Sequence, residues 1–170
     1  MQGEPETEII MRLPLYIAAL CVATPALSAD LIVSFRDGAP KDRFTLTYDG
    51  SCASQATQVD IDLGTAPAGL IFDITGAGAG VEVFQPLEWV VGSARTTAVT
   101  DGDTVVSLEL EPLAPGETLA FTVDIDDTTS SRQITVNGSE MVGATLRADG
   151  QEALFDATGT ARVALAKCQS

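Results

Sequence analysis

The sequence predicts an all-β chain, an antiparallel β-sandwich of about eleven short strands, with a closed β-barrel as the alternative. Three observations lead there. Apolar and polar residues alternate with a period of two across nearly all of residues 30–170, with β-branched residues inside the runs. Gly, Pro and Asp punctuate those runs at roughly eight-to-twelve-residue intervals. No stretch carries the apolar spacing of a convincing helix.

The first elements are not part of that domain. Residues 1–10 hold three Glu and no basic residue, a composition that suits neither a strand nor the start of an export signal, and they read as an over-extended start before Met11. Residues 11–29 read as a signal peptide. Arg12 supplies a short positive end, residues 13–23 an apolar run, Thr24-Pro25 a break, and Ala26-Leu27-Ser28-Ala29 the small residues that a signal peptidase inspects. The expected cut lies between Ala29 and Asp30. The apolar run is about half of the ~20 residues that span a bilayer, so it is not expected to anchor the chain. Cys21 follows Leu20, whereas a lipidation signal wants a small residue there. The expected address is secreted or periplasmic, and residues 30–170 form a single domain with no membrane span.

Within that domain the expected strands are 31–36, 43–48, 57–63, 69–74, 81–85, 87–91, 104–110, 118–125, 132–136, 141–147, 153–156 and 161–166. Turn dipeptides separate many of them: Asp37-Gly38, Asp49-Gly50, Asp101-Gly102, Asn137-Gly138 and Asp149-Gly150. The Gly76-Ala-Gly-Ala-Gly80 run lacks the Lys-Ser/Thr of a phosphate loop and reads as a hairpin connection. Asn137-Gly138-Ser139 matches a glycosylation sequon in form, and a turn accounts for it.

Composition narrows the chemistry. Residues 30–170 keep 21 of the 24 acidic and 8 of the 9 basic residues, a net charge of −13. Such a surface repels nucleic acid and anionic lipid and attracts cations and basic partners. The chain has no histidine, which removes Ser-His-Asp and Cys-His catalysis and the usual zinc and copper sites. Cys52 and Cys168 are the two cysteines left after cleavage. In an oxidising compartment they are most simply one disulfide, two free thiols being the alternative.

Three acidic groups could hold a metal. Asp124-Ile125-Asp126-Asp127-Thr128 closes an apolar run, and strand alternation puts Asp124 and Asp126 on one face, with Asp127 following at the turn. Carboxylates this close repel one another, and an oxygen-seeking cation relieves the repulsion; calcium takes six to eight oxygen ligands and is the expected ion. Asp37 and Asp42 lie in the tight connection Asp37-Gly-Ala-Pro-Lys-Asp42, and Asp101-Gly-Asp103 is the third group. Asp73 and Glu82 are expected partners from neighbouring loops. No EF-hand loop is present. Asp60 and Asp62 alternate with Ile61 and Leu63, as the wet face of a strand does. Paired carboxylates also hydrolyse glycosides, but one Trp (Trp89) and one Tyr (Tyr48) in residues 30–170 are poor equipment for stacking on sugar, so no enzyme is expected.

Several segments carry a resemblance: Asp37-Gly-Ala-Pro-Lys-Asp-Arg-Phe44, Ala68-Gly-Leu-Ile-Phe-Asp-Ile74, Gly78-Ala-Gly-Val-Glu-Val-Phe-Gln-Pro-Leu-Glu88, Val123-Asp-Ile-Asp-Asp-Thr128 and Gly138-Ser-Glu-Met-Val-Gly-Ala144. Together they resemble short secreted proteins of marine alphaproteobacteria labelled "aggregation factor core", after the core protein of the calcium-dependent sponge assemblies. The resemblance spans essentially the whole of residues 30–170 and accommodates both cysteines. It implies a calcium-dependent extracellular adhesion or matrix module whose partner is a cell-surface glycan, another matrix protein or a second copy. The expected function is therefore a secreted or periplasmic calcium-binding module for surface or matrix association. The alternative is a metal-independent periplasmic binding or accessory subunit for a basic or carbohydrate partner.

Overall fold

The computed structural model describes residues 29–74, 85–129 and 136–166. Twelve strands run in chain order: β1 Asp30–Arg36, β2 Asp42–Asp49, β3 Thr57–Asp62, β4 Leu70–Phe72, β5 Glu88–Val91, β6 Arg95–Thr96, β7 Val105–Leu110, β8 Thr118–Val123, β9 Ile125–Asp127, β10 Thr145–Ala148, β11 Gln151–Leu154 and β12 Thr160–Ala164. They form two five-stranded sheets, β12-β1-β2-β8-β5 and β11-β10-β3-β7-β6, and a two-stranded ribbon, β4-β9. Every pairing is antiparallel. Neither sheet closes on itself, so the architecture is a sandwich and not a barrel. Among the described residues there is no helix, and hence none long and apolar enough to cross a membrane.

Alternation explains the core. From the first sheet Leu31, Val33, Phe35, Phe44, Leu46, Tyr48, Leu119, Phe121 and Val123 turn inward, and from the second Val59, Ile61, Val106, Leu108, Leu110 and Leu146. All belong to one buried cluster. Burying a side chain of this size contributes about 1.5–3 kcal/mol. Register places four rings in one row across the first sheet, because Phe35 pairs with Phe44, Phe44 with Phe121, and Phe121 with Trp89. Successive ring centroids are 5.3, 5.1 and 5.3 Å apart, close enough for each contact to add about 0.5–1.5 kcal/mol beyond area burial. Trp89 is thus a sheet-packing residue, half-buried at the edge strand β5.

Several expected boundaries move. The run 118–125 is two strands, because β8 pairs with β2 and β5 while β9 leaves at Asp124 to pair with β4. The run 141–147 keeps only its end as β10. Its beginning is a turn in which the Asn137 and Glu140 side chains bind back onto the backbone, the Glu140 carboxylate accepting the Asn137 N–H at 2.7 Å and the Asn137 Oδ1 the Ser139 N–H at 2.9 Å. The two-residue strand β6 has no alternation long enough to read in the sequence. Of the expected runs 81–85 and 132–136, only Gln85 and Val136 fall among the described residues, both outside strands. Asp149-Gly150 forms the β10–β11 turn with positive φ at both residues, 50° and 71°, the backbone that a two-residue hairpin requires.

Candidate metal centre

The ribbon β4–β9 builds the site. Leu70 and Phe72 of β4 and Ile125 of β9 are buried in the core, and the residues alternating with them face the other way. Register pairs Ile71 with Asp126 and Phe72 with Ile125, and one step further the Asp73 N–H donates to the Asp124 carbonyl at 3.1 Å. Asp73, Asp124 and Asp126 therefore collect on one side of the ribbon, one carboxylate oxygen of each lying within 4.8 Å of the others. Asp73 and Asp126 are buried, with 4% and 7% exposure, and Asp124 is half-buried. The Asp73 Oδ1 is buried without a hydrogen-bond partner.

The electrostatics follow from that crowding. Asp124 is pushed up to about 6, first by burial and then by the Asp73 charge, against the pull of the Ile125 N–H and the Lys41 ammonium. Asp126 is also pushed up to about 6, by burial, then by the charges of Asp124 and Asp73, by its hydrogen bond with Asp73 and by the Asp127 charge. Asp124 and Asp126 are thus harder to ionise than an ordinary aspartate, the mark of carboxylates crowded where water reaches poorly. Lys41 stands beside Asp124, but its Nζ donates to the Pro86 carbonyl at 2.9 Å and to Glu88 at 2.6 Å.

Asp42 sits next to this trio and not in it. It opens β2 opposite Val123, and its Oδ1 accepts the Gly38 N–H at 3.0 Å. Burial drives its carboxyl up to about 8, with the charges of Asp124 and Asp37 adding to the rise and the N–H groups of Gly38 and Ile125 opposing it. The Ile125 N–H thus opposes the rise of both Asp42 and Asp124. Asp37 is exposed. Asp127 follows Asp126 and so points to the opposite side; it is buried, and its Oδ1 accepts the Thr129 N–H at 3.2 Å. Glu82 lies outside the described residues. Cys168 does as well, so the Cys52–Cys168 pairing stays a proposal.

The donor set suits a hard cation. It is all carboxylate oxygen, carries no imidazole, and leaves one buried oxygen without a hydrogen-bond partner, a set that transition metals preferring nitrogen or sulfur do not select. Asp60 and Asp62 lie half-buried on the face of β3 opposite the core, with Asp62 paired to Arg147 at 3.2 Å. No family model, curated protein or solved structure matches the chain, and the site is read from its own geometry.

Proposed function

We propose that the protein is a secreted or periplasmic calcium-binding β-sandwich module in which Asp73, Asp124 and Asp126 hold the ion. The observation that carries the reading is the Asp73 carboxylate, buried within reach of two others and with an oxygen that nothing in the described structure satisfies. Acidic turns on a surface are usually solvated; three carboxylates packed this closely, two of them buried, cost free energy unless a cation or a shared proton joins them. Bound calcium would lock β4 to β9 and so fasten the two-stranded ribbon. The adhesive or matrix role comes from the sequence resemblance, and the partner classes remain a cell-surface glycan, a matrix protein or a second copy.

Extracellular modules bind calcium at roughly 10⁻⁴–10⁻³ M, so about 10 mM calcium would stabilise the fold by about 1.4–2.7 kcal/mol, a midpoint rise on the order of 5–10 °C. Thermal melting in EDTA and in calcium tests this. An unchanged midpoint in the wild type, matched by an unchanged Asp126→Asn variant, would overturn the proposal. The metal-independent reading draws on the apolar groove beside β5, lined by Ile74, Pro86, Leu87, Trp89, Ala94 and Val99. Retention on a glycan or basic partner in EDTA would favour it instead.

A further inference from the structure

We infer that Asp101 is a positioning residue for the calcium site, holding Asp73 in place from the edge of β4 that β9 leaves open. The inference rests on the calcium reading above. Asp73 lies just past β4, where a side chain would swing with its backbone. Its N–H is fixed on one side by the Asp124 carbonyl at 3.1 Å. The next N–H along, that of Ile74, donates to the Asp101 Oδ1 at 2.7 Å on the other. The peptide groups on both sides of the Asp73 Cα are therefore pinned, which sets both of its soft dihedrals and with them the direction of its Cβ.

The loop that presents Asp101 is built for the purpose. The Phe72 N–H donates to the Asp103 carbonyl at 2.9 Å, and the Gly102 N–H donates back to the Phe72 carbonyl at 2.9 Å. Asp103 folds the turn on itself, its Oδ2 accepting the Thr100 N–H at 2.7 Å and the Thr100 hydroxyl at 2.9 Å. Gly102 holds φ at 81°, a value that an L side chain resists. In Thr100-Asp-Gly-Asp103 the second acidic residue shapes the turn, the glycine permits it, and Asp101 delivers its carboxylate to the backbone beside the metal ligand. Asp101 of the third acidic group thus supports Asp73, the partner that the first group gains from β4.

Outer-sphere partners of metal ligands typically change affinity 10–100-fold when removed. Calcium affinity of the full-length protein, measured by isothermal titration with calcium chloride, tests the inference together with the melting midpoint in EDTA. Asp101→Ala is expected to bind roughly 10–100-fold more weakly, while Asp101→Asn, which keeps an oxygen for the Ile74 N–H, stays within about threefold of wild type. If Asp101→Ala fails to fold, Asp101→Glu replaces it: the charge is kept and the oxygen displaced, so binding weakens although Asp101→Asn still binds. Wild-type affinity in Asp101→Ala, or in Asp101→Glu where that variant replaces it, overturns the inference. Equal weakening in Asp101→Asn and Asp101→Ala, or binding by Asp101→Glu above that of Asp101→Asn, also overturns it, because charge and not the hydrogen bond would then be the cause. A lower EDTA midpoint at unchanged affinity marks a merely structural role and overturns it too. A wild type that binds no calcium removes the calcium reading itself, a result distinguishable from all of these.

Discussion

Asp42→Asn should flatten the pH dependence of stability of the metal-free protein between about pH 6.5 and 8.5. Burial holds the Asp42 carboxyl up to about 8, whereas in the unfolded chain it titrates near the ordinary aspartate value of about 3.9. Between those values the folded state binds one proton more than the unfolded state, so stability falls as pH rises and the loss is complete above pH 8. At about 1.4 kcal/mol per pH unit the ceiling is of order 5 kcal/mol, of which about 2 kcal/mol falls between pH 6.5 and 8.5. Asp42 dominates that upper window: Asp124 and Asp126, pushed only to about 6, are already mostly ionised at its lower edge, and the chain contains no histidine. Asparagine keeps a carbonyl oxygen for the Gly38 N–H and has no charge to desolvate. Urea unfolding in EDTA at the two pH values is the assay. Wild type should lose about 2 kcal/mol across the window and Asp42→Asn close to nothing. A flat wild type, or an equal slope in the variant, would refute the assignment of the buried proton to Asp42.

Other expectations concern packing and covalent closure. At Gly50 an added Cβ would collide with the hydroxyl and ring of Tyr48, which is fully buried, so Gly50→Ala should cost about 1–3 kcal/mol in chemical denaturation. The same hydroxyl is buried without a partner, so Tyr48→Phe should be neutral or raise stability by about 1 kcal/mol; a clear loss would show that the hydroxyl is satisfied. The proposed Cys52–Cys168 disulfide should appear as a linked peptide pair in non-reducing mass mapping of protein purified under oxidising conditions, and alkylation of both as free thiols would exclude it.

How far the sequence carries can be judged from particular residues. Alternation is a local signal, and it reads β1, β2, β3 and β7 nearly to the residue because each has one buried face. It reads the wet face of Asp60 and Asp62 for the same reason. It overruns at Asp124, where the chain keeps its period but changes its pairing partner, from β2 and β5 to β4. Partner exchange leaves no mark in a period of two. Asp124 and Asp126 share a face because they are two apart, so that half of the trio is visible locally. Asp127 is one residue on, and the same rule sends it across the ribbon, where adjacency in sequence is misleading. Asp73 joins the trio through a pairing between segments about fifty residues apart, and Asp101 reaches Ile74 through a loop contact of 27 residues' separation. No period or motif encodes such contacts, and Lys41 beside Asp124 is of the same kind.

Whether Asp73, Asp124 and Asp126 share one calcium ion is decided by a crystal structure of the protein grown in calcium. A strong peak of density is expected among the three carboxylates with oxygen contacts of roughly 2.3–2.6 Å, including the buried Asp73 Oδ1. Carboxylates bridged there only by protons, ordered water or the Lys41 ammonium, with no such peak at millimolar calcium, would contradict it.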